Sequence, residues 1–306
     1  MRYASSVAFR RALEDRLKAL AIADPTRLAR DRKRIAFDRL LARLVATAPD
    51  DWVLKGGFAM DLRLRDRART TKDVDLAWHA EEDALTDALL DAAATDLGDY
   101  FVVSLERTDA LPDLLGGAHR FHVTVSLAGR PFESFLLDVG THDDSVTGRE
   151  TLTTPDLLGF AGIPPVTVPA LPLVTQLAEK LHAYTRTYEG GRPSTRTKDL
   201  VDLALVATLF PIDAHELRTA IDAVFAQRAT HQRPDALPAP APTWRTAYRR
   251  LATTVRISDD LDAGHATAAA MLDPVLGHRV TTGTWDPSDQ VWNRGVPTVR
   301  RPGQAG

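Results

Sequence analysis

Gly56-Gly57, followed by Thr71-Lys72-Asp73-Val74-Asp75-Leu76, is the stretch that decides how this chain folds. Val53-Leu54 ahead of the glycines reads as a strand end, Phe58 to Leu64 as a helix, and Asp73 to Trp78 as a second strand whose side chains alternate between two faces. Asp73 and Asp75 then point the same way, with Val74 and Leu76 toward a core.

Two carboxylates held that close repel each other unless a cation sits between them. Magnesium, with manganese as substitute, is expected, because it takes hard oxygen ligands and keeps positions open for phosphate oxygens and water. The glycines let backbone approach phosphates, and the N-terminus of the following helix favours anions. The ordered pair therefore describes a site for a metal-bound nucleoside triphosphate. Each half alone also has a bland reading, since Gly-Gly is a common turn and an Asp-x-Asp strand edge is often only solvated.

A third carboxylate fits the same plan. Phe135-Leu136-Leu137-Asp138-Val139-Gly140 is an apolar strand bearing one acid near its end. Placed beside the Asp73 strand, Asp138 completes a three-carboxylate cluster able to hold two metal ions, with Asp138 nearest the attacking hydroxyl as ligand and possible base. A turn or capping aspartate before Gly140 is the alternative.

The 306 residues suffice for two domains. Forty-one acidic residues against 38 Lys and Arg give a net charge of -3, so nucleic acid has to be met by a local basic patch. With no cysteine, disulfides and thiolate zinc sites are excluded. The N-terminus shows no apolar signal core and no stretch approaches a membrane span of about 18 apolar residues, so a cytoplasmic protein without membrane contact is expected.

Helical periodicity covers residues 5 to 48 with a break at Asp24-Pro25, and its second run carries Arg27, Arg30, Arg32, Lys33, Arg34, Arg39 and Arg43. That run reads as a solvated face or as a polyanion-binding one. A helix over Glu81 to Leu97 and strands over Tyr100 to Glu106, Arg120 to Leu127 and Phe132 to Val139 follow, separated by Asp109, Pro112, Gly116-Gly117 and a hairpin turn at Ala128-Gly129-Arg130. Sheet with interspersed helices, then a helical half, is an α/β or α+β plan. We place the junction in the proline-bearing stretch Gly159 to Pro172, giving domains 1–165 and 166–306. Beyond it Leu173 to Tyr188, Lys198 to Leu209, Ala214 to Ala229 and Thr243 to Val255 read as helices; 231–242 is an extended connector and the tail from Thr281 shows no pattern.

In the helical half, Lys180 sits among Leu177, Leu181 and Tyr184, where a cation needs a partner or a ligand. Asp199 and Asp202 lie on adjacent helical positions. A triphosphate gives Lys180 and Arg196 or Lys198 a reason to converge, with Asp199 or Asp202 orienting the lysine; an interhelical salt bridge from Lys180 to Asp202 is the alternative. His79, His182 and His215 form no metal motif. No nucleophile elbow and no P-loop are present.

With these residues in hand, the chain resembles the AbiEii-type nucleotidyltransferase toxins, which include the MenT toxins, within the DNA polymerase β-like superfamily. The resemblance runs through Leu54-Lys55-Gly56-Gly57-Phe58-Ala59, Arg69 to Leu76, Leu137-Asp138-Val139, Glu179-Lys180-Leu181-His182-Ala183 and Arg196 to Leu203, over roughly residues 35 to 210. It implies a polymerase β-like N-terminal half with a mixed sheet, a helical C-terminal half, and a triphosphate in the cleft between them. It further implies a glycine turn at Gly56-Gly57, metal ligands Asp73 and Asp75, a phosphate-positioning Thr71 next to Lys72, a triphosphate lysine at Lys180, and a helical motif at Lys198-Asp199 and Asp202. Leu136 departs from relatives that carry a basic residue two before the Asp138 position. By the same resemblance the protein is expected to transfer a nucleotide to a tRNA 3′ end and to have a cognate antitoxin. A protein hydroxyl or an aminoglycoside-like small molecule as acceptor, and a nucleotide-binding protein without turnover, are the competing readings.

Overall fold

The structure, a computed structural model, describes residues 1–22, 24–108, 118–141, 148–188, 192–193 and 196–293. The separators Asp109, Pro112 and Gly116-Gly117 lie outside the described residues, as does the tail beyond Asn293. The chain divides into two compact units, Met1–Pro172 and Leu173–Gly306.

Unit 1 opens with α1 (Ser6–Leu20), capped by the Ser5 hydroxyl accepting from Ala8 N–H at 3.3 Å, and α2 (Thr26–Thr47). There follow β1 (Trp52–Lys55), α3 (Gly56–Leu64), β2 (Asp73–Trp78), α4 (Leu85–Ala94), β3 (Phe101–Arg107), β4 (Ala118–Leu127), β5 (Arg130–Gly140), β6 (Glu150–Thr153) and β7 (Thr167–Ala170). The strands form one mixed sheet in the order β3-β4-β5-β2-β1-β7-β6. The two partners that matter most for the acids are parallel β5 and antiparallel β1, which flank β2. β7 lies inside the stretch read as a proline-bearing junction. Its Val168 and Ala170 are buried, so two core-facing residues are enough to hold a short strand that prolines obscure in the sequence.

The helix expected over Glu81 to Leu97 is shorter. Glu82–Ala84 make a single 3-10 turn, and the end near Thr95 is followed by an Asp96 carboxylate accepting from Gly98 N–H at 2.8 Å. The β4-β5 turn places Ala128 and Gly129 at φ 52° and 67°, the left-handed geometry of a tight hairpin. One register shift, between Val125 and Ser126, leaves Phe132 as the extra residue of a β-bulge. The core gathers on one face, where the Phe37 ring meets Phe58 of α3 at 4.8 Å and Phe135 of β5 at 4.7 Å, both edge-on. These contacts fix α3 and β5 against α2, on either side of the acid-bearing strand.

Three members of the basic run of α2 face the interior rather than solvent. Arg34, Arg39 and Arg43 are buried. Arg34 donates to both oxygens of Asp61 on α3 at 2.7 and 2.9 Å. Arg43 reaches Asp99 at 3.1 and 3.2 Å and the Phe101 carbonyl at 2.6 Å, while Arg39 pairs with Asp38 and Asp99. Outside them Arg32 stacks on the Phe132 ring and Lys33 reaches Glu133. Periodicity shows which face a cation occupies and is silent about carboxylates brought from distant elements. Asp99→Ala leaves buried Arg43 without a carboxylate and Arg39 with Asp38 alone, and a loss of about 3–5 kcal/mol is expected in urea unfolding.

Unit 2 contains α5 (Leu173–Thr185), the two-residue strands β8 (Thr187–Tyr188) and β9 (Arg192–Pro193), α6 (Thr197–Leu209), β10 (Ile212–Asp213), α7 (Ala214–Arg228), α8 (Arg245–Val255), α9 (Leu261–Leu276), β11 (Thr284–Asp286) and β12 (Val291–Asn293). α9 and the three-stranded sheet β10-β11-β12 were not expected from the sequence. Two tryptophans explain the order of the patternless tail. Trp285 Nε1 donates to the Ala207 carbonyl at 2.7 Å and Trp292 Nε1 to the Met271 carbonyl at 3.0 Å, which ties the hairpin to α6 and α9.

His182 lies buried on α5 with its ring 4.6 Å from that of His231. Thr230 and Thr185 hydroxyls link the pair: His182 Nε2 to Thr230 at 2.9 Å, Thr230 to His231 Nδ1 at 3.0 Å, and His231 Nε2 to Thr185 at 2.8 Å. Burial, then His231 and the charges of Arg228 and Arg186, push the His182 imidazole down to about 4. His231 is lowered in the same direction by burial and Arg186. An unfolded histidine takes up its proton near pH ~6.5. From there down to about 4 the unfolded chain binds a proton that folded His182 refuses, so stability is complete above that window and falls on acidification through it. Urea midpoints at pH 7.5 and 5 should differ in the wild type, and the difference should narrow in His182→Gln, with His231 keeping the remainder.

Candidate active site

Four charged residues share one register row across four strands of unit 1. Lys55 of β1 stands opposite Asp75 of β2, Asp75 opposite Asp138 of β5, and Asp138 opposite Arg120 of β4. Asp73 lies two residues along β2, opposite Leu136. The structure thus brings Asp73, Asp75 and Asp138 to one face of the sheet, with a cation at each end of the row. The Asp75 carboxyl is pushed upward by burial first and then by Asp138, with Asp73 adding to it; Lys55 and the Gly57 N–H pull the other way. Asp138 turns both oxygens to Arg120, accepting from Nε and Nη2 at 2.7 Å each.

The glycine pair makes this arrangement possible in a way the sequence did not indicate. Gly56, at φ +67°, follows β1 with no intervening loop, and a Cβ there would sit 1.9 Å from Asp75 Oδ2. A Cβ on Gly57 would sit 2.5 Å from the Thr71 hydroxyl. The missing side chains make room for a carboxylate and a hydroxyl, and Gly57 N–H donates toward Asp75 Oδ2 at 3.4 Å. Thr71 itself donates to the Asp73 carbonyl at 3.2 Å, and Lys72 is exposed. Gly56→Ala is expected to displace the Asp75 carboxylate and to reduce turnover by at least ~100-fold, the scale of a misplaced reacting group, while far-ultraviolet circular dichroism keeps its wild-type shape.

Among the described residues no group of three or more His, Cys, Asp or Glu is arranged to hold a metal ion as it stands. The donor chemistry nevertheless suits a hard divalent cation. Asp73 and Asp75 offer carboxylate oxygens only, and the ionised form of Asp75 is penalised by burial and by two neighbouring acids. Asp138, by contrast, already has a cation.

Unit 2 holds the second predicted set. Lys180, buried on α5, donates to Asp202 at 2.6 Å and to Asp199 at 3.5 Å, both on α6. The salt bridge from Lys180 to Asp202 is therefore present. Asp199 occupies the first turn of α6, where the helix N-terminus favours an anion, and Arg196 Nη1 lies 3.5 Å from its other oxygen. Lys198 is exposed. Sequence reasoning assigned nothing to Arg120 and gave Lys55 no role. Lys55 is adjacent to the glycines and opposes Asp75 by simple pairing, so it was within reach. Arg120 was not, because its place opposite Asp138 depends on the bulge at Phe132.

A mixed sheet that carries paired carboxylates on the strand after a glycine turn is the architecture of a polymerase β-like nucleotidyltransferase. The profile described as "Nucleotidyl transferase AbiEii toxin, Type IV TA system" matches residues 39–275, and the chain belongs to that family. It is thus the toxin component of a toxin-antitoxin family, which implies a cognate antitoxin. Among solved structures it is similar to MenT4, a nucleotidyltransferase toxin from Mycobacterium tuberculosis H37Rv, with a TM-score of 0.51 and 18% identity over 80% of this chain and 91% of that one. JHP933 from Helicobacter pylori aligns with a TM-score of 0.46 and 13% identity over 81% of this chain and 93% of that one. Comparison with curated protein sequences finds no match. Among the described residues no helix is long and apolar enough to cross a membrane.

Proposed function

We propose that this toxin transfers a nucleoside monophosphate from an NTP to the 3′-hydroxyl of an RNA, the acceptor end of tRNA by analogy with the family, and releases pyrophosphate. The row Asp75-Asp138 beside Asp73, built around a glycine turn, is the observation that carries the reading. Asp73 and Asp75 would hold Mg²⁺, or Mn²⁺ in its place, which when bound neutralises phosphate charge and lowers the pKa of a coordinated hydroxyl. Gly56 keeps Asp75 in place, and Thr71 fixes the entry to β2 through its bond to the Asp73 carbonyl. Lys55 offsets part of the negative charge of Asp75. In the reaction the acceptor oxygen bonds to the α-phosphorus as the bond to the bridging α,β-oxygen breaks; the hydroxyl proton passes to solvent water and pyrophosphate departs. On the family resemblance alone, Lys180, which Asp202 and Asp199 hold, and its neighbours Arg196 and Lys198 are assigned to the triphosphate charge. A cytoplasmic location fits such a substrate.

The test is incubation of the purified protein with total tRNA and each of four α-³²P-labelled NTPs, with magnesium or with EDTA, beside Asp73→Ala. Label on tRNA from one or two nucleotides, absent in the variant and in EDTA, supports the reading. Label on protein or on a small-molecule acceptor with none on RNA overturns the acceptor; no label anywhere favours a binder without turnover.

A further inference from the structure

We infer that Arg120 is an acceptor-side phosphate-positioning residue, and that Asp138 serves it as a clamp. The inference rests on the transfer reaction proposed above. It begins from the way Asp138 is occupied. Its two oxygens accept from Nε and Nη2 of Arg120, both at 2.7 Å, which fixes the plane of the guanidinium. The third nitrogen, Nη1, points away from that bond and makes no hydrogen bond to any described residue. The side chain is partly exposed, its same-face neighbour along β4, His122, is exposed, and Leu136 opposite His122 is half-buried. A rigid guanidinium with an open donor edge is a ready anion contact.

Strand order says which anion. The glycine turn and the N-terminus of α3 follow β1, on one side of β2, whereas Arg120 lies on β4, beyond β5 on the other side. With the donor triphosphate served from the glycine side, Arg120 stands on the side left to the acceptor. The nearest anion on such an acceptor is the phosphodiester just before its terminal nucleoside. Holding that group would aim the 3′-hydroxyl toward the acids, and it would favour acceptors with a backbone phosphate over a protein hydroxyl or an aminoglycoside.

The experiment measures binding without turnover. A fluorescein-labelled single-stranded RNA ending in CCA is titrated by anisotropy against the full chain, with no NTP present, over a range of salt. Arg120→Gln should weaken binding about tenfold, the scale of one charged hydrogen bond, and flatten the slope of log K against log salt by ~0.7. Arg120→Lys should restore the slope with less of the affinity, since a point charge is not held in a plane by Asp138. Asp138→Asn should weaken binding with the slope retained. In turnover, Arg120→Gln should raise KM for tRNA and leave KM for NTP within about twofold, a split that a merely structural role does not produce. Unchanged affinity and slope in Arg120→Gln, a rise in KM for NTP alone, or no RNA binding by wild type would each overturn the inference. RNA binding by wild type with no label transferred would instead remove the proposed reaction, and the variant comparison would still decide the role of Arg120.

Discussion

Replacing Asp75 by asparagine is expected to abolish nucleotide transfer and, in the same protein, to raise the melting temperature. Both effects have one cause. The ionised carboxylate is held in a place where burial, Asp138 and Asp73 all oppose its charge. Asparagine keeps the shape that fits beside Gly56 and an oxygen to accept the Gly57 N–H, while it removes the charge. Without a bound cation the gain should be about 1 kcal/mol, in the range of other replacements that relieve a functional site. Turnover should fall on the order of 10³-fold, as when one charge-stabilising group is removed from a transition state. The measurements are label incorporation and a thermal melt in EDTA. Wild-type-like turnover would sink the assignment of Asp75 as a ligand. A lower melting temperature would show instead that Lys55 makes the carboxylate a net structural asset.

Lys180→Met is expected to act in the opposite sense on stability. It leaves Asp199 and Asp202 in the interior of unit 2 with the buried amine gone, and breaking such a set costs about 3–5 kcal/mol. A melting temperature roughly 10 °C lower should follow for a domain of this size. A lysine with a purely catalytic role would lose activity at unchanged stability. The double variant Lys180→Met with Asp202→Leu separates the two contributions, because it replaces the closest pair by apolar groups. It should regain much of the stability and none of the transfer. Recovery of transfer in that double variant would confine Lys180 to a structural role.

What could be read from the sequence followed from local periodicity. Alternation placed Asp73 and Asp75 on one face, and the apolar run before Asp138 marked its strand. Both strands occur, side by side and parallel, so the acid row was legible as soon as the two were paired. Arg120 was hidden by a single residue. From the Ala128-Gly129 turn, an unbroken hairpin would set His119 against Asp138; the extra Phe132 shifts the ladder and brings Arg120 there instead. α9 was hidden for another reason. Its run of alanines gives little apolar contrast, and Gly264 and Pro274 read as breakers, although Gly264 is where the Tyr248 ring approaches so closely that a Cβ would lie 1.7 Å from its hydroxyl. The arginines of α2 were misjudged because their partners Asp61 and Asp99 come from elements far along the chain.

Those arginines also bear on how the toxin meets its substrate. Three of the cations in the densest basic run of the chain face inward and are neutralised there, and the whole molecule carries a net charge of -3. Neither those three cations nor the net charge helps to draw in a polyanion from a distance. Encounters should proceed at the unsteered rate of roughly 10⁵–10⁷ M⁻¹s⁻¹, little changed by ionic strength until the partners touch. If the acceptor is RNA, as proposed above, discrimination among RNAs then lies in how long each one stays bound.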